Sequence, residues 1–200
     1  HFPNLHYIRL DNCILRNDTI RALSTRPYLQ GLSLVDCTVN GSLQALAQLG
    51  NLQFFQFYGR NTTDRSLQDV ARLPNLTSLG IESPAVTNTG LRHLGQLVNL
   101  TQLHLNLKGN YSVTNAGLQP LSQLLKLESM NLKESPVITD DGLQHLTPLT
   151  RLTNINLSGG KFTWFCLHYL AAIPSLRSLN LSYCKEFSLP QPPDPDESSI

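Results

Sequence analysis

Charge is scarce in this chain. Only 14% of its 200 residues are Asp, Glu, Lys or Arg, and they nearly cancel to a formal +1. A protein that tracks nucleic acid or an anionic lipid surface gathers Lys and Arg on one face, so neither partner is expected. Long apolar runs are missing as well: none approaches the ~20 residues of a membrane span. The opening HFPNLHYIRL lacks the basic start and apolar stretch of a signal peptide. The four cysteines form no C-x-x-C pair, and there is no zinc-ligand spacing, phosphate-cradling loop or nucleophile elbow, so no metal or cofactor is expected.

What is abundant is leucine at fixed intervals. The pattern L-x-x-Φ-x-Φ, with Φ a large apolar residue, starts at Leu5, Leu29, Leu52, Leu76, Leu100, Leu127, Leu152 and Leu176, so the starts recur at a nearly constant spacing. A second pattern sits between these starts, clearest in TNTGLRHL (87–94), TNAGLQPL (114–121) and TDDGLQHL (139–146). Its first large apolar residue falls at Ile20, Leu43, Leu67, Leu91, Leu118, Leu143 and Leu167, each nine residues before the next Leu start. Alternation over Φ-x-Φ predicts a short strand with one buried face, and L-x-x-L predicts a short helix with a narrow buried stripe. Each unit is therefore strand, ascending loop, helix and return, with Pro3, Pro27, Pro74 and Pro174 marking the helix exits.

One octet invites a catalytic reading. In TDDGLQHL, Asp141 and His145 are four residues apart and would share a helix face. A metal-dependent hydrolase built on Asp140, Asp141 and His145 is thus the enzymatic alternative. The sister units argue against it, because Asn88 and Thr89 replace the two acids and Pro120 replaces the histidine. A helix start with Thr, Asn and Asp supplying side-chain caps accounts for the octet more simply, and no catalytic residue is assigned.

The eightfold L-x-x-L-x-L motif resembles the leucine-rich repeat family across residues 1–189. Two subtypes are similar. Cys13, Cys37 and Cys184, eight positions after the first Leu, match the cysteine-containing repeats of F-box proteins. Units such as VTNTGLRHLGQLVNL match bacterial repeats of the T-D-x-G-L type. The resemblance implies an α/β solenoid (horseshoe) of eight strand-loop-helix repeats, each of about 23–27 residues, with a parallel concave sheet. It also implies a protein-binding role: either the substrate-recognition repeats of an F-box ubiquitin-ligase subunit, or a bacterial effector or surface protein gripping a host protein. In the first case a missing N-terminal segment would dock the ligase scaffold.

Stacking the repeats brings residues between the Φ positions into outward columns. These hold aromatics near the start, Tyr7, Phe54 and Tyr58, with Arg9, Asp11 and Gln56 among them and His104, Asn131 and Lys133 further along. Aromatics amid polar groups are the composition of protein-binding hot spots, and this concave face is the first expected interface. A second is the ascending edge. There the enlarged loop of unit five carries Lys108, Asn110 and Tyr111, and unit seven reads TWFC where its sisters read TDDG, placing Trp164 and Phe165 at positions otherwise small or polar. Either a partner covers them, or the end of the chain folds back through Phe187 and Leu189.

Residues 190–200, PQPPDPDESSI, are expected to be a disordered tail. Unit one begins at once, so an N-terminal cap, further repeats or an effector domain is expected upstream. Cysteines spread over the repeats predict no disulfide framework and an intracellular setting, cytoplasmic or nuclear, with a secreted effector as the alternative. Eight N-x-S/T sequons run against that and are expected to stay unmodified, Asn156 and Asn180 because they would face the concave sheet.

Overall fold

The computed structural model describes residues 4–59, 61–82 and 84–187. Each L-x-x-Φ-x-Φ segment contributes one strand: β1 (Tyr7–Asp11), β3 (Gly31–Val35), β5 (Phe54–Tyr58), β6 (Ser78–Glu82), β7 (Gln102–Asn106), β8 (Ser129–Asn131), β9 (Asn154–Asn156) and β10 (Ser178–Asn180). They form one eight-stranded sheet in chain order, with every neighbouring pair parallel. Such an arrangement needs a crossover after every strand, and the second pattern supplies it. The helical segments are α1 (Asn17–Ser24), Gln44–Gln48, α2 (Asp64–Val70), α3 (Asn88–Leu94), Asn115–Gln123, Asp140–Leu146 and α4 (Cys166–Leu170). Among the described residues no helix is long and apolar enough to cross a membrane.

The core lies between sheet and helices. Leu32, Phe55, Leu79, Leu103, Met130 and Ile155 form one buried row, and Leu67, Leu91, Leu118 and Leu143 face it from the helical side, all nearly inaccessible. Both ends are more open: Ile8 and Leu10 in β1 and Leu179 and Leu181 at β10 are only partly buried. Leu167, expected in the core, is 40% exposed, because no helix of a following unit packs on it among the described residues; Cys166 and Leu170 are buried in its place.

Three differences from the sequence reading have physical causes. First, Gln44–Gln48, Asn115–Gln123 and Asp140–Leu146 wind as 3-10 helices. A buried stripe spaced three apart, as in Leu143 and Leu146, eclipses in that geometry, and Pro120 removes a backbone donor from the second of them. Second, the last three strands stop after three residues. Asn131, Asn156 and Asn180 accept a hydrogen bond from the backbone N–H two residues on, at 2.9, 3.0 and 2.9 Å, and so turn the chain early. Third, units one and two pair a short second strand on the ascending side, β2 (Ile14–Arg16) with β4 (Thr38–Asn40).

Candidate functional site: the concave sheet and the ascending edge

Parallel register brings the outward residues into the expected columns. Tyr7, Gly31, Phe54, Ser78 and Gln102 are successive partners, as are Arg9, Ser33, Gln56, Gly80, His104 and Asn131. The third column runs from Asp11 to Asn106 and ends there, since Lys133 follows a strand already closed at Asn131.

Two glycines shape this face. A Cβ at Gly31 would meet the Tyr7 ring at 2.5 Å, and one at Gly80 would meet the Tyr58 hydroxyl at 2.5 Å. Each tyrosine therefore lies over the strand that follows it. Tyr7 and Phe54 approach within 6.1 Å, centroid to centroid. Beside Tyr58 two cavities open, of about 190 Å³ and 200 Å³, with Tyr58 and His104 lining both. Gln56, Gly80, Gln102 and Asn131 are among the other residues lining the first, and Glu82, Asn106 and Lys133 among those lining the second. Burial, and then the Glu82 charge, push the Tyr58 hydroxyl up from its ordinary pKa, so it stays a neutral donor. Crowding by neighbours, and then Lys133, push His104 down, and its ring contacts the Asn131 amide.

Of the predicted concave residues, Gln56, Tyr58, His104, Asn131 and Lys133 thus converge on one pair of cavities, while Tyr7 and Phe54 form a separate aromatic step. Arg9 and Asp11 close on one another, the Arg9 Nη2 donating to Asp11 Oδ1 at 2.8 Å and Nε to Oδ2 at 2.9 Å. The importance of Gly80 escaped the sequence reading; its signal was a glycine in an outward strand position next to a tyrosine.

On the ascending edge the octet is a structural joint. Asp140 Oδ1 accepts from the Thr163 backbone N–H at 3.0 Å and Oδ2 from the Thr163 hydroxyl at 2.6 Å. Asp64 does the same for Thr87, at 2.8 and 2.6 Å. Asn88 and Asn115 take the backbone N–H groups of Thr114 and Thr139 at 3.0 and 2.9 Å and donate their amides to the two hydroxyls. A ladder thus runs from unit to unit, and the glycines of TNTG, TNAG and TDDG make room for it. A Cβ at Gly90, Gly117 or Gly142 would fall 2.4, 2.4 or 2.7 Å from the Asp or Asn oxygen of the preceding unit. This corrects the expectation that Thr139 to Asp141 cap their own helix: Asp140–Leu146 has no side-chain cap. Asp141 accepts instead from the Tyr169 hydroxyl at 3.3 Å. Among the described residues no group of three or more His, Cys, Asp or Glu could hold a metal ion.

In unit seven Trp164 takes the ladder position and Cys166 the glycine position. Burial, followed by the Asp140 charge, pushes the Cys166 thiol up to about 12, which leaves it unreactive. Trp164 and Phe165 are each 40% exposed. Phe187, expected to cover them, packs against the core end, and Leu189 lies outside the described residues, as does the tail 190–200. In unit five Lys108 pairs with Glu134 at 3.1 Å and Tyr111 is 74% exposed. Asn110 is fully buried, its amide donating to the Val86 carbonyl at 2.8 Å, so it ties the loop down and offers no surface and no glycan site. The four cysteines are unpaired. Cys37 and Cys184 donate to the Leu10 and Leu157 carbonyls of the preceding units at 3.3 and 3.4 Å, plugging the bend.

Solved structures share this architecture. The chain is similar to an internalin (inlF) from Listeria monocytogenes, with TM-score 0.62 and 21% identity over 84% of this chain and 49% of that one. Internalin C2 (inlC2) from the same organism gives TM-score 0.61 and 21% identity over 88% of this chain and 80% of that one. TLR13 in its complex with ssRNA13 gives TM-score 0.66 and 20% identity over 90% of this chain and 25% of that one. The chain spans about half the length of the first and a quarter of the third. At such identities the likeness establishes the fold, a leucine-rich-repeat solenoid. No family profile matches the chain, and no curated protein matches it significantly.

Proposed function

We propose that this chain is a protein-binding solenoid whose concave sheet holds its partner, with no catalytic step of its own. The observation that carries the reading is the pair of cavities that share Tyr58 and His104 in their walls, the first of them also lined by Gly80, in the middle of a continuous sheet. Eight strands at ~4.8 Å span some ~35 Å, enough for an interface of ordinary size. Tyr7 and Phe54 supply apolar anchors; Gln56, Asn131 and Lys133 supply orientation. The exposed Arg9–Asp11 pair satisfies itself and would add selectivity at the rim. Lys108, Tyr111, Trp164 and Phe165 extend the surface along the ascending edge.

A protein suits this face better than a nucleic acid. The TLR13 structure is a complex with ssRNA, but here the concave face carries Arg9, and Lys133 just past β8, against Asp11 and Glu82, which makes no stripe for phosphates. Two settings accommodate the module. In one it is the substrate receptor of an F-box ubiquitin ligase, intracellular, with unpaired plugging cysteines of the F-box kind. In the other it is a bacterial surface or effector protein, the setting favoured by the likeness to internalins. An F-box encoded in the same gene would support the first setting, and a secretion signal the second.

The experiment is affinity capture followed by measurement on Phe54→Ala and Tyr58→Ala chains. Each should weaken a captured partner by at least about tenfold, as hot-spot truncations do; unchanged affinity in both refutes the concave site.

A further inference from the structure

Charge on the concave face is sparse and unevenly settled. The strand columns and their continuation past β8 carry Arg9, Asp11, Glu82 and Lys133. Arg9 and Asp11 satisfy one another at 2.8 Å. Glu82 and Lys133 do not: neither forms an ion pair with any other described residue. Both nevertheless line the second cavity, of about 200 Å³, together with Tyr58, His104 and Asn106. Glu82 ends β6 and Lys133 follows β8, with β7 between those strands, so the two strand backbones stand about 10 Å apart.

The surroundings keep the two charges apart and uncompensated. Lys108 lines a neighbouring cavity with Glu82 and Asp36, but it is held by Glu134 at 3.1 Å. Asp36 has no ion-pair partner among the described residues either, so two carboxylates mark one end. After burial, it is the Glu82 charge that raises the Tyr58 hydroxyl and the Lys133 charge that lowers His104, which puts the acidic end by Tyr58 and the basic end by His104. Unlike charges facing one cavity, each without a counter-charge, are complementary to a surface that presents the same pair reversed. A segment of one sign is disfavoured at one end or the other: an acidic one meets Asp36 and Glu82, a basic one Lys133.

We propose that the second cavity seats a mixed-charge segment of a partner protein, with a Lys or Arg side chain against Glu82 and an Asp or Glu side chain against Lys133. This rests on the concave sheet being a protein-binding face, and it adds the chemistry of what is bound there.

Capped octapeptides on an array are the probe. In a background of Gly, Ser and Ala they carry one Lys and one Asp in either order, two Lys, two Asp, or no charge. The complete chain at low salt should bind the mixed peptides at least about fivefold more tightly than the other sets, the effect of a well-placed exposed ion pair. In ~0.5 M salt the preference should largely vanish. Glu82→Gln should remove the advantage given by Lys and keep that given by Asp, and Lys133→Gln should do the reverse, a split that a misfolded chain would not produce. Equal binding of neutral peptides, stronger binding of either single-sign set, no binding above background, or a mixed-charge preference that survives in both variants overturns the seat. The wider reading is judged apart from this one by Phe54, which lines neither cavity. A captured protein weakened by Phe54→Ala but unaffected by Glu82→Gln and Lys133→Gln keeps the concave face and overturns the charge rule alone.

Discussion

At the scale of single residues, the glycines of the ascending edge and those of the concave face do opposite things with the same absence of a Cβ. Gly90, Gly117 and Gly142 admit a hydrogen-bonded oxygen of the preceding unit, whereas Gly31 and Gly80 admit tyrosine rings and so create surface. Gly117→Ala would press a methyl group against Asn88 Oδ1, which is held by the Thr114 backbone, and should lower unfolding free energy by about 1–3 kcal/mol. Gly50→Ala, where a Cβ meets nothing within 4 Å, should change it by less than about 0.5 kcal/mol. Urea melts of the two variants check the contrast. His104 gives a pH dependence with a definite sign. Its folded pKa lies below the ordinary 6.5, so as pH falls past that value the unfolded chain takes up the proton first. Stability should decline as pH drops through that window and level off below the folded pKa. His104→Gln should flatten the curve there; an unchanged slope between about pH 7 and 5 would refute the assignment.

At the scale of elements, the chemical identity of the ladder residue decides how the next helix begins. Where Asp64 or Asp140 meets the following Thr, the hydroxyl donates to the carboxylate and keeps a lone pair for the cap: Thr87 accepts from the Thr89 N–H and Thr163 from the Phe165 N–H, both at 3.1 Å. Thr87 is the N-cap of α3, whereas Thr163 braces the turn ahead of α4, whose own N-cap, Phe165, has no side-chain cap. Where Asn88 or Asn115 takes that place, its amide occupies the hydroxyl of Thr114 or Thr139, no cap forms, and the segment winds as a 3-10 helix. Asn115→Asp should therefore free Thr139 to cap Asp140–Leu146 and shift it toward α-helix. Backbone chemical shifts of residues 140–146 would show this, and unaltered shifts would sink the idea. Strand and helix positions were legible in the spacing of leucines, because burial of one face is a local pattern. The ladder was not, since its partners belong to successive units and its threonines and Asx residues look like ordinary caps. Trp164 and Phe165 were legible as violations of a pattern, but their ring packing with His168 and Tyr169 was not.

At the scale of the whole molecule, each unit touches only its neighbours, so stability is a sum of adjacent interfaces and is smallest at the ends. Leu103 and Leu179 occupy the same repeat position, one 2% exposed in the middle and the other partly exposed at the last strand. Leu103→Ala should cost about 2–5 kcal/mol, and Leu179→Ala distinctly less. Amide exchange should be slowest in β5 to β8 and fastest in β1 and β10. A uniform exchange rate along the sheet would contradict the one-dimensional picture. The concave cavities belong to this scale too, because they need β5, β6, β7 and β8 held in register at once.

Sequence alone determined the solenoid: a near-constant repeat length with apolar positions at strand and helix spacing can bury its leucines only by stacking unit on unit. It also determined which side chains line the first two columns, because side chains alternate across a strand and parallel register follows from equal repeats; the third column breaks off at Asn106, short of Lys133. Only the tertiary structure decided that Tyr58 lies across Gly80 and lines two cavities with His104, that Arg9 and Asp11 neutralise each other, and that Asp140 belongs to the joint with unit seven. Those outcomes depend on distances between units set by packing, where a small shift separates a hydrogen bond from a clash, and no one-dimensional pattern carries them.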